Sequence, residues 1–385
     1  MQPMAELVSP GHHDHFQHFI TDSSWPPQLL EHLIARHAQQ LLGGPDAVLI
    51  IDDTCLTKFG THSVGVGRQY SGQAGKVTNC QCLVSVTIAR DEIPLPLRLK
   101  LFLPSEWSSD EPRCERAGVP EEHPRTATKW ELALREIDDL ARSLTFGMVL
   151  ADAGYGVSAK FRQALTLRGW RWSVGTVKTQ QVYPAEVRVL PIPKIFRGRP
   201  PTQGAPSEDT ESIETVLSRA PWRHLMWRQG TKGPLMGTFA ATYVRLADGP
   251  ANGRGQHLPG EGAWIIGEQR ARGEKKYYLC NLPPETPFER LIQATKQRWA
   301  CELAHRELKQ EVGLDHFEGR SWQGLYHHST LCLVALLFLQ WLRLSQPDGF
   351  FGESVPAIRL EVAAALSHPC LCPFSSSCTA LFSGP

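Results

Sequence analysis

Two short apolar runs, each closed by aspartate, constrain this chain most. Ala47-Val48-Leu49-Ile50-Ile51 leads into Asp52-Asp53, and Met148-Val149-Leu150-Ala151 leads into Asp152. Each reads as a strand, 47–52 and 147–152, with a carboxylate at its end. A third acid, Glu302, lies on a long helical pattern that includes Arg298-Trp299-Ala300-Cys301-Glu302 and, further on, Lys309.

The intervening sequence fills in an order of elements. After Pro26-Pro27 a helix is expected over 28–42, ending before Gly43-Gly44-Pro45. Segments 65–70, 80–89 and 95–103 are β-rich. Val84, Val86 and Ile88 alternate with Ser85 and Thr87, the period of a half-buried strand. Residues 104–125 read as a polar loop, followed by an amphipathic helix over 128–144, a helix over 158–167 and a strand over 170–177. Strand, more strands, helix, strand and a later helix fit an α/β fold, a mixed sheet flanked by helices. In it the two Asp-bearing strands can lie side by side, with their C-terminal ends at one edge.

From 181 to 285 the character changes to Pro-, Gly- and Arg/Lys-rich stretches between strand-like segments 239–246, 263–269 and 276–282, a β-rich insertion. Thr286-Pro287-Phe288-Glu289 then has the form of a capping-box start, with Thr at the N-cap, Pro first in the helix and Glu third. The spacing predicts one helix from there to about Val312, then helices over 324–344 and 355–366. The expected division is an N-terminal helical segment (1–45), a first core part (46–180), the insertion (181–285), C-terminal core helices (286–366) and a disordered tail (367–385).

At ~100° per residue, Arg298, Glu302, His305 and Lys309 share a stripe about 60° wide on the 286–312 helix. Phe288, Ile292, Trp299 and Leu303 form an adjoining apolar stripe able to pack on the sheet. The plain alternative is a solvated face with i,i+4 ion pairs, worth tenths of a kcal/mol each. Two strand-end aspartates elsewhere favour the site. Three carboxylates on two strand ends and a helix can hold a pair of hard divalent cations, Mg²⁺ or Mn²⁺. Such a pair clamps the attacking and leaving oxygens of a phosphodiester. On strand alternation Asp53 shares a face with Leu49 and Ile51 while Asp52 shares the other, so one of the two is expected to face the site and the other to be structural. Asp152-Ala153-Gly154-Tyr155-Gly156 is also a common turn sequence, and its small residues would let a phosphate approach the backbone.

Composition bounds the classes. With 42% hydrophobic and 21% charged residues the chain is globular, and its net charge of +1 hides segregation. Residues 105–140 are acid-rich, while 188–199, 223–232, 270–276 and 290–309 are rich in Arg and Lys, and local basic surface is what meets phosphate. Ten cysteines without regular spacing do not form a disulfide framework, which suits a reducing cytoplasm. The first residues lack the basic and apolar regions of a signal peptide. The apolar stretch Leu331–Leu342 suits a buried helix better than a membrane span.

Arg298-(3)-Glu302-(6)-Lys309 resembles the Tyr-(2)-Arg-(3)-Glu-(6)-Lys signature of one branch of bacterial insertion-sequence DDE transposases. Asp53-Thr54 and Asp152, each after an apolar strand, look like that family's first two acidic residues. The segments 62–70, 230–234 and 313–322 resemble it too, and the likeness covers roughly residues 16–365. It implies an RNase H-like core with a β-rich insertion before the Glu helix, and cut-and-paste DNA transposition. Carried over, Asp53, Asp152 and Glu302 would bind two Mg²⁺ or Mn²⁺, and Arg298 and Lys309, with His305 beside them, would hold phosphates. Trp227, near Lys232 in the insertion, would be the aromatic that stacks on a flipped base. The partners would be double-stranded DNA, as terminal inverted repeats and target, bound by a homodimer, with no membrane involved. Thr295 stands where the signature has Tyr, and the N-terminal region is short for the family and reads as truncated. The competing readings are a decayed, non-catalytic DNA-binding copy and another RNase H-like nuclease.

Three further features are set aside. His12, His13, His15 and His18 belong to a polar N-terminus. Cys80 and Cys82 lack a second pair for zinc. Gly65-Val66-Gly67 lacks the Lys-Ser/Thr of a phosphate loop.

Overall fold

The computed structural model describes residues 13–72, 74–192, 203–230, 233–251, 256–270, 273–345 and 354–367. The expected tail beyond Ser367, and Lys232, lie outside them. Strands run β1 (Val48–Thr57), β2 (Gly67–Ser71), β3 (Lys76–Arg90), β4 (Ile93–Phe102), β5 (Met148–Ala151), β6 (Trp172–Thr176), β7 (Gln181–Pro184), β8 (Val189–Leu190), β9 (Ala205–Pro206), β10 (Glu211–Ser212), β11 (Arg223–Gly230), β12 (Gly233–Leu246), β13 (Gly262–Gln269) and β14 (Lys275–Cys280).

Twelve of these form one mixed sheet in the order β10-β7-β12-β13-β14-β6-β5-β1-β3-β2, with β4 also on β3 and β11 on β12. β1 and β5 pair in parallel from Val48↔Met148 to Ile51↔Ala151, and β5 and β6 are parallel too. β3 is antiparallel to β1, and β4 antiparallel to β3. The core order β4-β3-β1-β5-β6, antiparallel on one side of β1 and parallel on the other, is that of an RNase H-like sheet. Strands of the 181–285 region continue the same sheet through the β14–β6 pair.

Burial on both faces explains the apolar runs. Leu49 and Ile51 belong to the larger core, with residues of the helices Pro27–Leu42, Lys129–Leu140 and Trp322–Ser345. Val48 and Ile50 belong to a second core, with Met148, Leu150, Leu291 and Ile292. Each fully buried aliphatic side chain stabilises by roughly 1.5–3 kcal/mol. β3 departs from the half-buried expectation. Ser85 and Thr87 are as buried as their apolar neighbours, because β1 and β4 flank the strand and helices cover the sheet. The β3–β4 connection is the two-residue turn Asp91-Glu92, both with positive φ, the backbone of a type I′ hairpin. Residues 104–125 hold two short helices, Ser105–Ser108 and Glu111–Arg116, where a loop was expected.

The helix predicted over 286–312 is two helices, Phe288–Lys296 and Trp299–Gln310. Between them the Ala300 N–H donates to Gln297 O and the Cys301 N–H to Arg298 O, tight i→i+3 bonds that bend the axis. Thr286 does not cap it, since its hydroxyl donates to Pro283 O at 2.7 Å. The buried face of the second helix is Ala300, Cys301, Ala304 and Leu308, with Trp299 and Leu303 only half-buried. The bend turns the helix toward the sheet, so the apolar stripe predicted for a straight helix does not carry through.

Trp322–Ser345 is long and apolar enough to cross a membrane by length and composition, but 67% of its apolar window is buried within the fold. It packs on Pro27–Leu42 and β4 as a core helix.

Candidate active site

β1 was expected to end at Asp52, but it continues to Thr57, held by its antiparallel pairing with β3, and so outruns its parallel neighbour. The β1–β5 pairing stops at Ile51↔Ala151, and the chain after β5 turns into a short helix with Asp152 as N-cap, its Oδ1 accepting from the Tyr155 N–H at 3.3 Å. Asp52, Asp53 and Asp152 therefore gather where the two strands part. Gly156 and Gly175 let this turn lie backbone to backbone on β6, where any side chain on Gly156 would meet Gly175 O. Gly156 thus serves packing.

The cleft at these strand ends encloses about 580 Å³ and is lined by Asp52, Asp53, Asp152, Lys276, Arg298, Glu302, His305, Arg306 and Lys309, among others. Alternation holds along β1, yet both members of the acidic pair reach the cleft, where only one was expected. Beyond Ile51 no parallel strand walls the two faces apart. On the Val48/Ile50 side, Asp52 Oδ2 accepts from Arg298 Nη1 at 2.6 Å and from Cys301 Sγ at 3.0 Å. On the Leu49/Ile51 side, Asp53 takes Tyr155 Oη on Oδ1 and Lys129 Nζ on Oδ2, both at 2.6 Å. The Asp53 N–H donates to Asp52 Oδ1 at 2.8 Å.

Arg298 joins strand to helix. Its Nη2 is 3.1 Å from Glu302 Oε1, and the Glu302 side chain is 66% exposed toward the cleft mouth. Ser85 Oγ lies 3.0 Å from Asp52 O and 2.7 Å from His305 Nε2. Burial pushes the His305 imidazole down to about 4, so it is uncharged at neutral pH. It ties the helix to β3 and supplies no cation for phosphate. Lys309, 9% exposed, donates to Cys55 O at 2.9 Å. Thr295, in the signature's Tyr position, is buried against Ser173 with their hydroxyls 3.0 Å apart.

Trp227 sits elsewhere. It falls at the bulge between Met226 and Arg228 in β11, half-buried, with Lys296 Nζ 4.4 Å from its ring centre. The hollow it lines holds His224, Glu268 and Arg270 and is separate from the acidic cleft. Its neighbour Arg228 stacks 3.4 Å over Trp299 and reaches Glu92 at 2.6 Å, tying the insertion to the start of the Glu-bearing helix. Cys55, Cys80 and Cys82 form a small buried cluster behind the cleft wall.

Burial, and then the charges of Asp52 and Asp53, push the Asp152 carboxyl up to about 6. Oxygen donors crowded with negative charge in a partly desolvated cleft suit a hard divalent cation. Among the described residues no three acidic, His or Cys side chains stand close enough to hold an ion as placed. The donor chemistry fits, and Glu302 has the solvent-side freedom to swing in.

Sequence reasoning missed Lys129, Tyr155, Ser85 and Cys301. Lys129 was legible only as the first residue of a capped helix, and Tyr155 only as part of a turn.

An RNase H-like sheet with carboxylates where two adjacent parallel strands part, and another on a following helix, defines a nuclease-type architecture. The sequence model of the DDE superfamily endonucleases matches residues 1–234, and the chain belongs to that family. The match ends before Glu302. The chain is similar to a probable transposase for insertion sequence element IS701 from Microchaete diplosiphon, 32% identical over 158 residues, spanning 41% of this chain and 38% of that relative. Among solved structures it is similar to the piggyBac transposase synaptic complex with hairpin DNA, at 10% identity and TM-score 0.44, over 84% of this chain and 53% of that one. It is also similar to the NurA nuclease from Sulfolobus solfataricus, at 11% identity and TM-score 0.25, over 88% and 97%. At these TM-scores the fold rests on the sheet order itself.

Proposed function

We propose that the protein is a transposase that cuts DNA at the ends of an insertion element and joins them to a target by a cut-and-paste route. The observation that carries this is the convergence of Asp52, Asp53, Asp152 and Glu302 on one cleft, with Arg298 bridging strand and helix. Asp152, Glu302 and one carboxylate of the Asp52-Asp53 pair would hold two Mg²⁺ or Mn²⁺ ions. Bound there, they would supply activation of water or a 3′-OH and stabilisation of the leaving oxygen.

The chain's own groups do the rest. Arg298 holds Asp52 and Glu302 in register with each other. Lys276, Arg306 and Lys309 line the cleft and offer positive charge to the phosphates flanking the scissile bond. Trp227, on the insertion, would stack on a base drawn out of the duplex. The substrate is double-stranded DNA with terminal inverted repeats, held by a homodimer in the cytoplasm.

The test uses labelled linear DNA carrying the sequences that flank the gene, incubated with the full chain in Mg²⁺ or Mn²⁺ beside a Glu302→Gln control. Discrete cuts at repeat ends, lost in the control, support the proposal. Binding without cutting points to a decayed copy, and cutting of branched DNA or RNA–DNA hybrids in place of repeat ends points to another nuclease of the same fold.

A further inference from the structure

Asp52 and Asp53 are neighbours in sequence but hold opposite positions in the site. Parallel strands in register present paired residues on the same face, so extending Ile51↔Ala151 by one step sets Asp52 beside Asp152. Asp52 also meets the element that carries Glu302, because Arg298 contacts both carboxylates, at 2.6 and 3.1 Å. A guanidinium bridging Asp52 and Glu302 marks a place where the fold already sets positive charge between them.

Asp53 is engaged on the other side. Both its oxygens are taken at 2.6 Å, by Lys129 and by Tyr155, whose ring is only 2% exposed. Tyr155 touches both strand ends, since its N–H donates to Asp152 while its hydroxyl donates to Asp53. The Asp53 N–H in turn donates to Asp52 Oδ1.

We propose that Asp52 is the member of the acidic pair that takes the divalent cation, and that Asp53, Lys129 and Tyr155 form a positioning clamp. The clamp fixes the middle of β1, where its pairing with β5 stops, against the end of β5 and aims the Asp52 carboxylate through the Asp53 peptide. This rests on the reading of the cleft as a divalent-cation site. Residues that orient metal-binding carboxylates are worth about 10–100-fold in metal affinity when removed.

The experiment measures Mn²⁺ binding to the full chain without DNA, by electron paramagnetic resonance and calorimetry, together with thermal unfolding. Asp52→Asn is expected to weaken binding about 100-fold or more, and Asp53→Asn by much less. Tyr155→Phe keeps the buried ring and is expected to weaken binding about tenfold while the unfolding temperature stays close to that of the parent. Adding Asp53→Asn to Tyr155→Phe is expected to add little, as for two parts of one clamp. Loss of binding in Asp53→Asn with retention in Asp52→Asn overturns the proposal, as does parental affinity in folded Tyr155→Phe. If Tyr155→Phe fails to fold, the contrast between Asp52→Asn and Asp53→Asn still decides. DNA cutting is assayed on the same samples. The expected metal pattern without cutting counts against the transposase reading and leaves the clamp standing, whereas a parent chain that binds no Mn²⁺ overturns the clamp.

Discussion

Arg298 donates to Asp52 at 2.6 Å although 246 residues separate them in the chain. This bond joins the middle of the central strand to the start of the Glu-bearing helix. Arg298 lies in the break between the two helices, and the Asp52 side chain is only 15% exposed where it receives the guanidinium.

Arg298→Ala leaves a partly buried carboxylate without its cation. A hydrogen bond to a charged group is worth about 1.5–3 kcal/mol, and a loss of about 2 kcal/mol is expected. Urea unfolding of Arg298→Ala, Asp52→Asn and the double variant measures it. The double variant should lose clearly less than the sum of the singles, and strict additivity would show that the two side chains are not coupled.

Arg98 carries the second charged junction. It is 1% exposed on β4 and reaches Glu31 at 3.6 Å, Glu136 at 3.4 Å and Asp139 at 3.3 Å, so one guanidinium anchors two helices to the sheet. Arg98→Met removes that cation, but Lys100 still reaches Glu31 at 2.9 Å and Glu136 at 3.7 Å, so a loss of about 2–3 kcal/mol is expected. A urea midpoint unchanged from the parent would contradict this role.

Glu307 gives the protein an alkaline weakness. Burial pushes its carboxyl up to about 7, against an ordinary value of 4.5. The folded state therefore keeps a proton that the unfolded chain gives up. The resulting stability is fully present below about pH 4.5 and is lost as pH rises through 7, by roughly 3 kcal/mol. Glu307→Gln is expected to match the parent near pH 4 and to unfold at a higher temperature at pH 8.

His305 acts in the opposite direction. Its imidazole, pushed by burial from 6.5 down to about 4, stays neutral in the fold while the unfolded chain takes up a proton. Stability is therefore lost as pH falls from about 6.5 toward 4, by about 2 kcal/mol between pH 7 and 5. His305→Gln can still meet Ser85 and should flatten that acid limb of a denaturation series. An identical limb in the variant would assign the loss to other groups.

Much of the fold is legible along the chain because its cues are local. The apolar runs at 47–51 and 148–151 mark strands buried on both faces, and the amphipathic pattern over 128–144 marks a helix that the structure contains at Lys129–Leu140. Asp152 and Glu302 stand out because each ends or punctuates a periodic pattern. The continuous 286–312 helix and the half-buried reading of β3 fail for one reason. Each depends on what packs against the segment, which local periodicity does not record.

By itself, then, the sequence determined which segments become strands and helices, and that carboxylates follow two of the apolar runs, while the family rests on motif resemblance and the family-model match. The segments follow from side-chain periodicity and chain order. Only the tertiary structure decided how Asp52 and Asp53 divide, because that turns on where β1 outruns β5. It also decided that Lys129 and Tyr155 grip one acid while Arg298 grips the other, since those contacts join groups 76, 102 and 246 residues apart. Packing brings such groups together, and no local pattern encodes their distance.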